Sequence, residues 1–380
     1  MNSIDTQTPL LRFFITYYSF IGTQYSLPSD WTNLGSLLRL LWNSTITSVV
    51  IYGLIWHDPF RMLVVFQLPC VDNPLYQRPL FSTFASVSFS YAYPFVYLLY
   101  PLFGMFYGRR ILRQLDCVHF RRFYHSKKEA VVLFSAVLGV NHLSLVTVLL
   151  ERHQIHRRPL DHWPTTTELI ELTALYVVFQ YIFWLLHLLH YYQWATYRIL
   201  LVLKEKARKK TITDGEALAT VRSLATVNAA LNRLLSPLII IYVLFLVFNF
   251  IFIACLMTMC TPGIRNYMHL YTLTVYAYYI SLLNGAVQRT VAEILARLLT
   301  GLAKEKCQIV LKKKDKKPEV EHLLLQRVDS RRVDVLECDR LYRGHFSVHV
   351  YQMTVVDIRF LFSTALFIVA YSVFIMQTSH

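Results

Sequence analysis

From residue 237 to residue 260 the chain reads PLIIIYVLFLVFNFIFIACLMTMC, twenty-four residues without a single charge. A helix needs about 20 apolar residues to cross the hydrocarbon core of a bilayer. Inside that core every backbone N–H and C=O must be satisfied within the segment, so an apolar run of this kind is a helix. Six further apolar stretches, at 37–56, 80–107, 130–150, 169–192, 267–287 and 360–377, bring the expected number of spans to seven. Pro94 and Pro101 fall inside the second and predict kinks there. Aromatic residues gather at several of the ends, where an interfacial belt belongs. The fold class expected is therefore an all-α membrane protein with seven transmembrane helices. Only 16% of the 380 residues are charged, against about a quarter in a soluble domain.

The basic residues between the spans set the orientation. Arg109, Arg110, Arg113, Arg121, Arg122, Lys127 and Lys128 follow the second span, and Arg198, Lys204, Lys206, Arg208, Lys209 and Lys210 follow the fourth. Lys304, Lys306, Lys312, Lys313, Lys314, Lys316, Lys317, Arg331 and Arg332 follow the sixth. The other three connections are poor in them, so the positive-inside rule puts the rich connections in the cytoplasm. With seven spans the N-terminus is then cytoplasmic and the C-terminus extracellular. The net charge of +15 is explained by these loops, and no nucleic-acid partner is expected, because no basic face interleaves with stacking aromatics. No cleavable leader is expected either, since the first residues include Asp5 and lack a charged leader region.

These readings divide the chain into a cytoplasmic N-terminus (1–36), helices one to four (37–197), a cytoplasmic connection (198–236), helices five and six (237–288), a second long connection (289–359) and the last helix (360–380). Both long connections carry helical stripes. After an expected break at Asp214-Gly215, the residues Leu224, Val227, Leu231 and Leu234 recur at helical spacing. Beyond the sixth span Val291, Ile294, Leu295, Leu298, Leu299 and Leu302 do the same, with Glu293, Arg297, Lys304 and Glu305 opposite. Helices running on below the membrane would bury these stripes against each other. The KKKDKKP segment at 312–318 reads as a solvated linker.

Motifs that would mark an enzyme, such as a nucleophile elbow, a phosphate-binding loop or a zinc-binding HExxH, are lacking. No catalysis and no cofactor or metal is expected. His187 and His190 stand at i, i+3 without a third ligand, and read as interfacial or helix-contact residues. Cys70 and Cys260 both fall outside the membrane, which leaves a disulfide between them open. The sequon at Asn43 lies within the first span and is expected to be unused. The outer halves of the spans offer a more specific set. Tyr91 and Tyr93, His142, Glu171, Tyr176, Gln180, Asn249, Tyr276 and Tyr279 combine aromatic walls with a few polar groups. A cavity of that chemistry suits a small organic ligand. Glu171 is costly a turn inside a span unless it faces water or a partner.

The last span reads VVDIRFLFSTALFIVAYSVFIMQTSH. It resembles the end of insect gustatory receptors, in which a Thr-Tyr pair, five mostly hydrophobic residues and a Gln-Phe pair close the seventh span. Tyr371 and Gln377 stand at that separation, while Ala370 and Thr378 depart from it. Asp357, followed by Leu361-Phe362, is similar to the family's approach to this span. The resemblance implies a tetrameric, ligand-gated, non-selective cation channel in the plasma membrane of sensory neurons, as a homotetramer or with other gustatory receptors. It further implies a pore lined by Tyr371, Val373, Phe374 and Gln377, anchor helices in the second cytoplasmic connection, and a small-molecule tastant bound within each subunit. Its largely aromatic surroundings favour a bitter or otherwise apolar compound over a sugar. Tyr371-Ser372 is also similar to the sister family of insect odorant receptors. A G-protein-coupled receptor would need an exterior N-terminus and lacks support from any DRY or NPxxY motif. A transporter would show more spans or internal repeats.

Overall fold

The computed structural model describes residues 16–18, 34–55, 93–115, 139, 142–143, 166–259, 264–311, 318–350 and 354–378. The helices, in chain order, are α1 (Leu34–Ile55), α2 (Tyr93–Leu115), α3 (Thr166–Arg208), α4 (Asp214–Met259), α5 (Ile264–Leu311), α6 (Pro318–Tyr342) and α7 (Ile358–Thr378). A 3-10 turn, Arg343–Phe346, follows α6, and two short strands, β1 (His349–Val350) and β2 (Thr354–Val355), pair antiparallel before α7. The all-α expectation holds, with this small hairpin as an addition. Residues 80–92, Cys70, Cys260, the linker 312–317 and most of 130–150 lie outside the described residues.

Length explains much of the architecture. Helices α3, α4 and α5 contain 43, 46 and 48 residues. At 1.5 Å per residue each is about 65–72 Å long, more than twice the ~30 Å of a bilayer core. The surplus half of each is where the amphipathic stripes lie. Leu224 and Leu231 of α4 are fully buried, as are Val291, Ile294, Leu295, Leu298 and Leu302 of α5 to within a few per cent. They meet Ile199, Leu200 and Leu203 of α3 and Val328, Val335 and Cys338 of α6 in one core. Each such side chain contributes about 1.5–3 kcal/mol by leaving water. Helix α5 packs on α3 and α6, α7 packs on α4 and α5, and α1 packs on α3.

The expected break at Asp214-Gly215 is displaced. Helix α3 ends at Arg208, and Lys210 takes the left-handed conformation with φ of 53°. Thr211 N–H then bonds the Lys206 carbonyl at 3.1 Å and Lys210 N–H the Ala207 carbonyl at 3.3 Å, the paired pattern of a Schellman C-cap. Thr213 and Glu216 form a reciprocal capping box, N–H to side chain in both directions at 2.9 and 3.2 Å. Asp214 and Gly215 are thus the first residues of α4. Two backbone donors satisfied at once outweigh the helix-breaking tendency of one glycine. Helix α4 then runs through Pro237, which lacks the N–H that would bond the Arg233 carbonyl.

The described stretch Asp214–Leu244 is long and apolar enough to cross a membrane, and Arg359–Phe374 is a shorter apolar helix. In α4 the charged Asp214, Glu216, Arg222 and Arg233 leave the apolar portion at the C-terminal end.

Candidate functional site

The polar groups of the upper bundle converge on two tyrosines that precede α1. Tyr17 donates its hydroxyl to Gln180 Oε1 at 3.3 Å, and its ring lies 6.4 Å from that of His142. Tyr18 is fully buried, hydrogen-bonded to His187 Nδ1, and packed edge-to-face on Tyr17 with ring centroids 5.1 Å apart. One turn along α3, His190 stacks on Tyr279 of α5 at 4.7 Å and 19°. Neither ring nitrogen of this buried His190 has a hydrogen-bond partner among the described residues. Of the expected ligand-site residues, the structure links His142 and Gln180 through Tyr17, and ties Tyr279 to the same stretch of α3. Tyr93, Glu171, Tyr176, Asn249 and Tyr276 sit on α2, α3, α3, α4 and α5. Tyr91 lies outside the described residues.

Of the two histidines, His187 pairs with Tyr18 and His190 with Tyr279 of α5. Tyr17 and Tyr18, which lie in the segment 1–36 that precedes the first expected span, make these contacts to α3. Sequence reasoning missed both, although their stretch, RFFITYYSF, is strongly aromatic. The bonds to α3 bridge 163 and 169 residues of chain, beyond the reach of any local pattern.

The last helix is built differently. Ile368 and Ser372 face the subunit and are buried, Ser372 Oγ donating to the Ile368 carbonyl at 2.7 Å. Most of the rest is open. Phe362, Leu366, Phe367, Val369, Tyr371, Val373 and Phe374 are each at least 40% exposed. Phe367 stacks on Tyr371 at 5.3 Å, and Tyr371 leans on Phe374 at 6.0 Å. Gln377 is exposed one residue before the end of α7. An apolar surface of this extent is stable only against lipid or another protein. Asp357 caps the helix, accepting the Phe360 N–H at 2.8 Å through Oδ1. Where α7 begins, a wholly apolar cavity of about 20 Å³ lies between Leu189, Ile239, Tyr242, Ile280, Phe360 and Thr364. It is far below the 300 Å³ or more of a typical small-molecule site.

Ion pairs stitch the lower part together. Lys306 meets Asp329 and Arg331 meets Glu305, both at 2.7 Å, joining α5 to α6, while Lys204 pairs with Glu293 between α3 and α5. The Lys204 bond holds the Glu293 carboxyl below its ordinary pKa, and burial raises that of the Cys338 thiol. Such half-exposed pairs are screened by solvent and add little. The apolar stripes dominate.

No protein-family pattern and no curated protein matches the sequence. The fold has close parallels among solved structures. The insect olfactory receptor OR5 from Machilis hrabei, in complex with eugenol, superposes with a TM-score of 0.58 at 13% identity, covering 97% of this chain and 98% of that one. A second structure of the same receptor gives 0.54 at 11% identity over the same shares. At such identities the likeness is one of fold, and it extends over nearly the whole chain. The chain thus shares its fold with that insect olfactory receptor.

Proposed function

We propose that this chain is a subunit of a ligand-gated, non-selective cation channel, a gustatory receptor of the insect chemoreceptor kind, in the plasma membrane of sensory neurons. The observation that carries the reading is the full-length likeness in fold to an insect olfactory receptor. The Tyr371 to Gln377 spacing at the end of α7 and Asp357 before it favour the gustatory branch. The chain crosses the membrane seven times with its N-terminus in the cytoplasm, on the strength of its loop charges.

Four copies, identical or mixed with other gustatory receptors, surround one pore with their α7 helices. The exposed apolar faces of α7 support this, since the subunit itself leaves them bare. Gln377 would then ring the pore and replace part of a cation's hydration, while Val373 and Phe374 close it by dewetting. The ligand is a small, largely apolar organic compound such as a bitter tastant, held among the tyrosine, histidine and glutamine groups of the upper bundle. That eugenol occupies the olfactory receptor fits a ligand of this size and character.

The test is ligand-evoked cation current in cells expressing this chain, alone and with candidate partner subunits, without added G protein. Gln377→Ala and Gln377→Glu should alter permeation or gating, and if both leave them unchanged the pore assignment is wrong. Surface labelling of an N-terminal tag in unpermeabilised cells would overturn the orientation. Responses confined to volatile odorants would move the chain to the olfactory branch.

A further inference from the structure

The described ends of the connection from the 3-10 turn to α7 are buried. Phe346, Ser347 and Val348 are 0–1% exposed and Val356 is 6% exposed. A buried connection must find partners for its backbone groups, and here amide side chains of three helices supply them. Asn232 of α4 donates to the Ser347 carbonyl at 2.6 Å and the His345 carbonyl at 3.3 Å, and is itself oriented by the Tyr192 hydroxyl at 2.8 Å. Gln193 of α3 donates to the Phe346 carbonyl at 3.4 Å, and Gln288 of α5 bonds the Ser347 hydroxyl. Asn284 of α5 grips both sides of the hairpin. Its Nδ2 donates to the Val356 carbonyl at 2.8 Å, and its Oδ1 accepts the Val348 N–H at 3.3 Å.

Val356 is two residues from the first residue of α7, and Asp357 between them is that helix's cap. Any shift or rotation of the start of α7 therefore pulls on the bond to Asn284. Beside this point lies the apolar cavity, bordered by Val348 and Val356 on the hairpin and by Phe360, Leu361 and Thr364 on α7. The first turn of α7 borders a water-sized void, and the Asn284 bridge, together with the backbone bond from the Val356 N–H to the Val348 carbonyl at 2.9 Å, holds the hairpin beside it.

We propose that Asn284, supported by Asn232, is the latch that holds α7 in the closed position of the channel, and that opening breaks its bond to Val356. It is a positioning residue, remote from ligand and pore. The proposal rests on the channel reading above.

Two variants test it on the full-length chain. Asn284→Leu keeps the size and removes both bonds. It should raise the ligand-independent share of the maximal current about fivefold, the effect of losing one net hydrogen bond from the closed state, and lower the concentration for half-activation. Ala277→Val fills the cavity from α5 and should act oppositely, reducing maximal current at equal surface density. A purely structural role would instead lower spontaneous and evoked currents together, in step with surface density, and that result overturns the latch. On purified protein in nanodiscs, amide exchange at Val348, whose N–H Asn284 accepts, should quicken in Asn284→Leu while that of Leu224–Leu235 stays unchanged. Unchanged exchange at Val348 also overturns it. A wild-type chain that carries no cation current overturns the channel reading and the gating role with it. Wild-type current with both variants unaltered overturns the latch alone.

Discussion

Replacing Tyr18 by phenylalanine tests how the segment before α1 is held. The ring of Tyr18 is fully buried, with His187 at 5.9 Å and Tyr17 at 5.1 Å between centroids. Phenylalanine preserves those contacts and deletes the hydroxyl bonded to His187 Nδ1. Losing a partner of a buried polar group costs about 1–3 kcal/mol in a soluble core. Hydrogen bonds within membrane bundles are worth less, about 0.6 kcal/mol on average and about 1.7 at most, because the unfolded chain in lipid finds other partners. A complete burial places this bond in the upper part of that range, so Tyr18→Phe should cost about 1 kcal/mol. Tyr18→Ala, which also empties the ring's space, should cost about 3–5 kcal/mol. The assay is apparent melting in detergent, followed by fluorescence-detected size exclusion, where 1 kcal/mol corresponds to roughly 1–2 °C for a chain of this size. The decisive measurement is the double-mutant cycle. In a His187→Ala background Tyr18→Phe should lose most of its effect, a coupling of about 0.6–1.7 kcal/mol. Strictly additive costs would refute the bond, and an unaltered melting point for Tyr18→Ala would refute the docking of the segment altogether.

Three further predictions use the same melting assay. Leu298→Ala, 2% exposed in the lower core, should cost about 2–5 kcal/mol, whereas Leu323→Ala, 64% exposed on α6, should stay within about 0.5 kcal/mol; equal losses would contradict the assignment of the core. Lys210→Gly should stabilise by about 0.5–1 kcal/mol, because glycine adopts the left-handed φ of 53° without the penalty lysine carries, and a loss of stability would argue against that C-cap. Thr213, chiefly through its backbone N–H and then its hydroxyl, lowers the pKa of Glu216 below the ordinary 4.5. The cap's contribution is therefore present above that value and lost as pH falls through the lowered one, so the melting difference between wild type and Glu216→Gln should shrink in acid. A difference that persists unchanged at low pH would exclude the ionised cap.

Much of the lower half was legible before any coordinates. The stripe Val291, Ile294, Leu295, Leu298 and Leu302 is buried as its spacing demands, and α5, at 48 residues, is long enough to carry it well past an apolar stretch of about 20. The junction at 208–214 was legible only in outline. Asp214-Gly215 reads as a breaker, but the reciprocal bonds of Thr213 and Glu216 make those two residues the start of α4. Of the expected ligand-site residues, only His142, Gln180 and Tyr279 have described ring or hydrogen-bond contacts, and two of those contacts run to Tyr17.

The sequence by itself determined the class of structure, because hydrophobic runs, loop charge and helical period are properties of neighbouring residues and need no partner to be read. Its last span also pointed to the fold that the solved receptors share. What tertiary structure alone decided is which distant groups satisfy one another. That Tyr18 should meet His187, that Asn284 should hold both sides of a hairpin 64 and 72 residues away, and that α7 should keep its apolar faces uncovered are outcomes of packing. A buried polar group states only that it needs a partner, and the fold chooses which one.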